Sequence, residues 1–415
     1  MKHWGKIKRN NTAIVSVIYV TVIFIAIKMK IGFHFFATDD FWMARIFSGR
    51  ITGTPEMMPK NTGVVFSALI LGLYRLNDHV GWFTILQIFL LWLSSTVVCF
   101  CMLNETKKLP KFDIIIGLGA FTLIFGSLLL FFSVNMTYSI TPSTCAVAVF
   151  LLTLSDKSEW TKAGKRISIV VTTFLLFFSL IMREKTAYVA MAVYMGTLLV
   201  GVLAFDLNIK EAYKRALLPV IIIVLVVAGT QFFTISDEWK NALELEYTRA
   251  GWVDYEHLPY EGNEEIYSSI NWTEAEYNMA EVYMMLDEDF TDENFKILNN
   301  ALEQKKETAF SNIKIALPII FTQSGVDKYM VLAAAVLTLT ACVFCIFGEN
   351  KRMIFASLCY FAGFLVLFLY IVSLGRFLKH AVSVVYIISL VPLCYCSVSI
   401  IVSNFNSPCK KWQKA

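Results

Sequence analysis

Long apolar runs alternate with short polar connections along most of the chain. Several of these runs approach the ~20 apolar residues that a helix needs to cross a bilayer. The hydrophobic pattern predicts spans near 12–28, 82–103, 112–132, 138–155, 167–182, 186–205, 216–234, 329–348, 353–374 and 381–403. We therefore expect an all-α polytopic membrane protein with about ten transmembrane helices.

Clusters of lysine and arginine orient these spans, because cytoplasmic loops are enriched in both residues. The clusters are Lys2, Lys6, Lys8 and Arg9; Lys107, Lys108 and Lys111; Lys157, Lys162, Lys165 and Arg166; Lys210, Lys214 and Arg215; Lys351 and Arg352; and Lys410, Lys411 and Lys414. Placing all of them in the cytoplasm puts both termini inside. The basic start "MKHWGKIKRN" lacks a small-residue cleavage site after its apolar run, which predicts an uncleaved first helix.

Two apolar stretches do not fit this alternation. The run "GVVFSALILGLY" at 63–74 is shorter than a spanning helix, and "IKIALPIIF" at 313–321 is short and contains Pro318. Counting 63–74 as a span would put one of its flanking loops on the wrong side. We therefore predict that both stretches lie at the outer surface.

Composition supports a membrane protein and exposes a charge asymmetry. Hydrophobic residues make up 57% of the chain and charged residues 16%, against roughly 25% charged in soluble domains. Segment 236–312 carries 19 acidic against 5 basic residues, and the topology places it outside. Such an acidic segment argues against binding a nucleic acid.

The acidic segment also contains too many aromatic residues for a disordered linker. Thr273 and Glu276 have the spacing of a capping box, which predicts a helix that starts there. We therefore expect short packed helices. The predicted organisation is a membrane bundle at 1–235 with a first outer loop at 29–81, an acidic outer segment at 236–328, and C-terminal membrane helices with a cytoplasmic tail at 329–415.

Two adjacent carboxylates, Asp39 and Asp40, follow the first predicted span. Adjacent like charges repel, so the proton affinity of one should rise while the other stays anionic. Phe41, Trp42 and Met43 come next, and we expect them to hold the pair at the membrane interface. A carboxylate in this position suits a general base, although the sequence does not say which aspartate is the base.

Basic residues in two short outer hairpins run against the cytoplasmic bias. Arg183 and Lys185 lie in one hairpin, and Arg376 and His380 lie in the other. A lipid phosphate is the natural partner for positive charge at this face, so these four residues are candidate substrate-binding groups. The alternative is that they are snorkelling anchors or members of a structural ion pair.

Motifs for other chemistries are lacking in the sequence. It contains no Gly-rich phosphate loop, no H-E-x-x-H and no G-x-S-x-G, so hydrolysis of ATP and serine or zinc hydrolysis have no support. Segment 236–312 contains no cysteine, so no disulfide stabilises it.

The first outer loop, "TDDFWMARIFSGRITGTPEMMPKNTGVVFSALILGLYRLNDHVGWFTILQ", resembles that of the type C glycosyltransferase superfamily. More narrowly, it is similar to a bacterial branch of multispanning proteins. The resemblance implies inverting transfer of a sugar from a polyprenyl-phosphate donor to an envelope glycan or lipid acceptor, at the outer face of a bacterial plasma membrane. Asp39 and Asp40 match the acidic motif, and Arg183 and Arg376 match a tendency for outer basic residues to hold the phosphate. Some members use a divalent metal, so Mg²⁺ or Mn²⁺ is a possible cofactor.

Two other classes of function stay open from the sequence. A non-catalytic partner in polysaccharide assembly would use the acidic segment for docking. A transporter of a lipid-linked sugar would have broken helices, charges deep within spans and inverted repeats. The chain shows few such charges and no repeat, so transport is the weaker alternative.

Overall fold

The computed structural model describes residues 12–36, 38–58, 61–107, 113–155, 160–204, 208–230, 232, 237–253, 257–281, 289–303, 314, 351–373 and 379–406. These residues separate into two compact units. The first lies within Met1–Phe233, Tyr329–Val366 and Lys379–Ala415, and the second within Thr234–Lys328 and Leu367–Leu378.

Helices dominate the described residues, which confirms the all-α class. In chain order they are α1 Thr12–Lys30, α2 Thr38–Phe47, α3 Val64–Leu76, α4 Trp82–Thr106, α5 Asp113–Ile124, α6 Leu130–Val134, α7 Ile140–Leu154, α8 Lys162–Met182, α9 Glu184–Ala204, α10 Ile209–Thr230, α11 Asp237–Val253, α12 Glu264–Ser268, α13 Glu274–Glu281, α14 Asp292–Glu303, α15 Lys351–Ser373 and α16 Lys379–Asn406. A π-helical turn, Phe125–Leu129, joins α5 to α6.

Among the described residues, four helices are long and apolar enough to cross a membrane, namely α1, α4, α8 and α10. Helices also occupy the other predicted spans, apart from 329–348, which is outside the described residues together with most of 313–321. The span predicted at 138–155 is a helix of only 15 residues, Ile140–Leu154. It starts two residues late because Tyr138 and Ser139 form a turn, which follows a short parallel strand pair between Asn135–Met136 and His34–Phe35.

The core of the first unit centres on α4 and α7. Helix α7 packs against α4, α8, α9 and α16, and α4 also packs against α1 and α5. Nearly every residue of α7 is buried, including polar ones such as Thr141, Ser143 and Thr144. Their hydroxyls donate hydrogen bonds to neighbouring groups, which satisfies buried polar atoms that would otherwise be destabilising.

The second unit has its own aromatic core. Its buried members are Trp252, Tyr267, Ile270, Trp272, Ala280, Phe290, Phe295 and Leu298. The capping box that the sequence predicts is confirmed at the start of α13, where the Thr273 N–H donates to the Glu276 carboxylate at 2.7 Å and Thr273 Oγ1 accepts from the Ala275 N–H at 3.2 Å. The acidic segment is therefore folded, with its charged side chains around an apolar centre.

Candidate functional site

The short strand pair joins two parts of the chain that are far apart in sequence. His34–Phe35 pairs in parallel with Asn135–Met136, and the Phe36 N–H donates to the Met136 carbonyl oxygen at 2.9 Å. This pairing places the start of α2 beside the turn that leads into α7. It explains why the acidic pair contacts residues about one hundred positions later in the sequence.

Helix α2 presents its acidic pair asymmetrically. Asp40 and Met43 lie on its buried face, whereas Phe41 and Trp42 are about half exposed. The Arg45 guanidinium carbon lies 5.3 Å from the centre of the Phe41 ring and 5.8 Å from that of Trp42. The expectation that Met43 packs at the membrane interface with the two aromatics is wrong, because helical spacing turns Met43 into the protein.

Asp40 is completely buried, and one of its carboxyl oxygens accepts a hydrogen bond from a backbone N–H. Its Oδ1 accepts a hydrogen bond from the Tyr138 N–H at 2.8 Å. The Thr141 hydroxyl donates to Gln87 Oε1 at 3.1 Å, so the Gln87 amide nitrogen is its remaining polar end. Gln87 Nε2 and Asp40 Oδ2 both lack a partner of ordinary hydrogen-bond geometry within the described part of the chain.

Burial determines the ionisation of Asp40. Desolvation raises the pKa of this carboxyl well above its usual value, and the hydrogen bond from Tyr138 is the largest opposing effect. The amide of Gln87, as a nearby hydrogen-bonding group, and the positive charge of Arg183 also lower this pKa. The negative charge of Asp39 raises it. Burial therefore favours the protonated form of Asp40.

Asp39 is the accessible member of the pair. Its side chain is only partly buried, and its Oδ2 accepts a long hydrogen bond of 3.4 Å from the Tyr138 hydroxyl. A carboxylate that is exposed on one side and weakly bonded on the other keeps lone pairs for a ligand. The geometry separates the roles of two residues that look equivalent in the sequence.

Arg183 lies at the junction of α8 and α9, next to Tyr138. Its guanidinium carbon is 4.5 Å from the centre of the Tyr138 ring, within the range of a cation–π interaction. Its Nη1 is buried and makes no hydrogen bond to any described residue. A buried guanidinium nitrogen without an acceptor is a donor that a ligand oxygen would satisfy.

Of the remaining predicted binding residues, Lys185 has a described side chain, and it does not join this contact set. Lys185 is exposed in the first turn of α9, and no ion pair or hydrogen bond links it to the other site residues in the described chain. Arg376 lies outside the described residues. His380 lies in the first turn of α16, and its side chain is outside the described part. Of the four basic candidates, the structure brings Arg183 to the acidic pair.

Helix α3 packs against the C-terminal end of α8, directly before Arg183. The Gly63 N–H donates to the carbonyl oxygens of Ile181 and Met182 at 3.1 and 3.2 Å. A Cβ at Gly63 would lie 2.3 Å from the Ile181 oxygen, so only glycine allows this approach. At 13 residues α3 is ~20 Å long, which is too short for a ~30 Å hydrocarbon core.

The side chains at this site do not fit a divalent cation. Mg²⁺ and Mn²⁺ prefer several oxygen ligands, but Asp40 Oδ1 is already engaged by the Tyr138 N–H. In the described ranges, no group of three or more His, Cys, Asp or Glu side chains is arranged to hold a metal. The guanidinium of Arg183 already supplies positive charge beside the carboxylates.

Sequence reasoning missed Tyr138 and Gln87. Gln87 is a lone polar residue in the apolar helix α4, and Tyr138 lies in the polar stretch "NMTYSITPST" between two apolar runs. Gln87 interrupts the hydrophobic pattern, whereas Tyr138 is the first residue of a predicted span and does not stand out. Their partners were not visible, because the contacts join residues some 50 to 100 positions apart.

Comparison of the chain with protein-family models, curated proteins and solved structures finds no match. The likeness to type C glycosyltransferases stays an expectation from the motif in the first outer loop.

Proposed function

We propose that this protein is a type C membrane glycosyltransferase. It moves a sugar from a polyprenyl-phosphate donor to an envelope glycan or lipid acceptor. The observation that carries the proposal is that Tyr138 contacts both the accessible carboxylate of Asp39 and the guanidinium of Arg183, whose buried Nη1 has no hydrogen-bond partner among the described residues. A base and a cation in one site suit a reaction that takes a proton and releases a phosphate.

In the proposed reaction, Asp39 takes the proton of an acceptor hydroxyl. The hydroxyl oxygen attacks the anomeric carbon of the donor sugar and forms the new glycosidic bond. The bond between that carbon and the phosphate oxygen breaks, and its electron pair leaves on the lipid phosphate, whose negative charge Arg183 stabilises. A single displacement of this kind inverts the configuration at the anomeric carbon.

Asp39 is the base in this proposal because an acceptor must reach it. Asp40 is buried, and its Oδ1 is occupied by the Tyr138 N–H. The raised pKa of Asp40 also favours its protonated form, which cannot act as the base. We assign Asp40 the role of fixing the helix that presents Asp39.

The alternation of helices supports an outer location for the site. In the proposed topology of ten spans with both termini in the cytoplasm, α1 ends outside and α4 begins there. The turn containing Tyr138 and the junction containing Arg183 fall on that same face, while Lys107 and Lys162 fall on the other. Site residues from four segments then share the outer face in this proposed topology. The membrane of the proposal is the bacterial plasma membrane.

A docking function in polysaccharide assembly is the second candidate. It is favoured by the second unit, which folds around its own aromatic core although its segment is strongly acidic. Such a unit suits recognition of a basic partner. A docking function would not require the carboxylate of Asp39 or the guanidinium of Arg183. Variants of these two residues should therefore impair glycosyl transfer but not docking.

Phosphate binding tests the proposal directly. Purified protein in detergent is titrated with a long-chain polyprenyl phosphate, with the uncharged polyprenol as the ligand control. The Arg183→Ala variant loses a charge-assisted contact of ~1.5–3 kcal/mol. Its affinity for the polyprenyl phosphate should therefore be roughly tenfold or more below that of the wild type.

Arg75→Ala is the matched variant, since Arg75 is an exposed arginine at the end of α3 with no contact to the site. It should bind the lipid phosphate as the wild type does. Equal affinity of the wild type for polyprenol and polyprenyl phosphate, or an unchanged Arg183→Ala variant, would overturn the assignment of Arg183.

A further inference from the structure

One residue, Tyr138, contacts all three charged members of the site. Its backbone N–H donates to Asp40 at 2.8 Å, and its hydroxyl donates to Asp39 at 3.4 Å. The face of its ring lies against Arg183, with the guanidinium carbon 4.5 Å from the ring centre. Each contact uses a different part of the residue, namely its backbone, its hydroxyl and the face of its ring.

The backbone of Tyr138 is fixed independently of its side chain. Thr137 Oγ1 accepts from the N–H groups of Ser139 and Ile140, both at 3.0 Å, and so holds the turn that leads into α7. The preceding residues Asn135–Met136 are paired with the strand after α1. Removing the hydroxyl alone, or the ring together with its hydroxyl, should therefore leave this turn in place.

The side chain is held where it can control distances. Tyr138 is only 3% exposed, so its ring cannot swing away without opening the core. Burial also raises the pKa of its hydroxyl to about 12, so it stays a hydrogen-bond donor at neutral pH. A buried donor of fixed orientation restricts the Asp39 carboxylate, and a ring face of fixed orientation restricts the Arg183 guanidinium.

We propose that Tyr138 is the positioning residue of this site: its hydroxyl orients the base Asp39 and its ring orients the phosphate-binding Arg183. The inference rests on the proposed function and adds to it the device that sets the separation of base and cation. Tyr138 itself neither takes the proton nor binds the phosphate. Both functions act through the residues it touches.

Two variants separate the two contacts. Tyr138→Phe keeps the ring and loses the hydroxyl, so affinity for a long-chain polyprenyl phosphate should stay within twofold of wild type while envelope glycan per molecule of protein falls several-fold. Tyr138→Leu loses both contacts. Its affinity should weaken roughly twofold to thirtyfold, the range expected for a cation–π contact, and glycan should fall further.

Tyr188→Phe is the matched control, because Tyr188 is an exposed tyrosine in α9. A merely structural role would change thermal stability and abundance in both Tyr138 variants and would move affinity and glycan together. Wild-type affinity in Tyr138→Leu, or wild-type glycan in Tyr138→Phe, would overturn the inference. Failure of the proposed function looks different, since the wild type itself would then not bind the lipid phosphate.

Discussion

Replacing Gly63 by alanine tests the contact between α3 and the end of α8. The new Cβ would lie 2.3 Å from the Ile181 carbonyl oxygen and 3.3 Å from its carbon, so the two backbones must move apart. Overpacking of this kind costs about 1–3 kcal/mol. Weakening the Gly63 N–H contacts at 3.1 and 3.2 Å adds ~0.5–1.5 kcal/mol. We expect a total loss of about 2–4 kcal/mol of stability.

The assay is thermal unfolding of the purified protein in one detergent at one scan rate, because membrane proteins of this size often unfold irreversibly. Gly72→Ala is the control within the same helix, where the added Cβ meets no atom within 4 Å. It should be neutral or stabilising by up to ~1 kcal/mol, since alanine favours helices over glycine.

The Gly63 variant should also weaken binding of polyprenyl phosphate. Its clash falls on Ile181, two residues before Arg183, so the displacement reaches the cation of the site. Equal melting temperatures for Gly63→Ala and Gly72→Ala would refute the packing of α3 on α8. A destabilised Gly63→Ala with normal lipid affinity would refute the link from this contact to Arg183.

Three further predictions follow from other elements. A cysteine at the exposed position Asn77 should react with an impermeant thiol reagent added outside the cell; labelling only from the cytoplasm would reverse the topology. Because the folded-state pKa of Asp40 is raised, its contribution to stability is full below about pH 3.9 and is lost as pH rises through the folded pKa. As pH rises through this range, the melting temperature of the wild type should therefore fall relative to that of Asp40→Asn. Parallel plots of melting temperature against pH for the two proteins would contradict a raised pKa of Asp40. Thr273→Ala should destabilise the second unit by ~1 kcal/mol through loss of its helix cap, measured by local hydrogen exchange, whereas protection equal to wild type would show that the cap is dispensable.

The hydrophobic runs of the sequence predict where most helices lie. They do not always predict the residue at which a helix starts. The span predicted at 82–103 corresponds to Trp82–Thr106, because the apolar run and the helix coincide. The span predicted at 167–182 begins at Lys162, where Thr161 Oγ1 accepts from the Gly164 N–H. Hydropathy reports the apolar part of a helix, whereas the start of the helix depends on its cap.

The site was only partly predictable for a related reason. Asp39, Asp40 and Arg183 were recognised because charges at the ends of apolar runs stand out in a sequence. Arg183 could not be separated from Lys185 in this way, because both follow the same run and only the helical geometry exposes Lys185. Tyr138 is an ordinary aromatic in the sequence, and its importance comes from long-range contacts.

The most direct test of the central claim compares Asp39→Asn with Asp40→Asn in cells. Envelope glycan composition is measured by mass spectrometry alongside the abundance of each variant. Removal of a general base typically lowers rates by 10²–10⁴-fold. Asp39→Asn should therefore lose one glycan component, as deletion of the protein does, at normal abundance. Normal glycan at normal abundance in Asp39→Asn cells would contradict the assignment of Asp39 as the base.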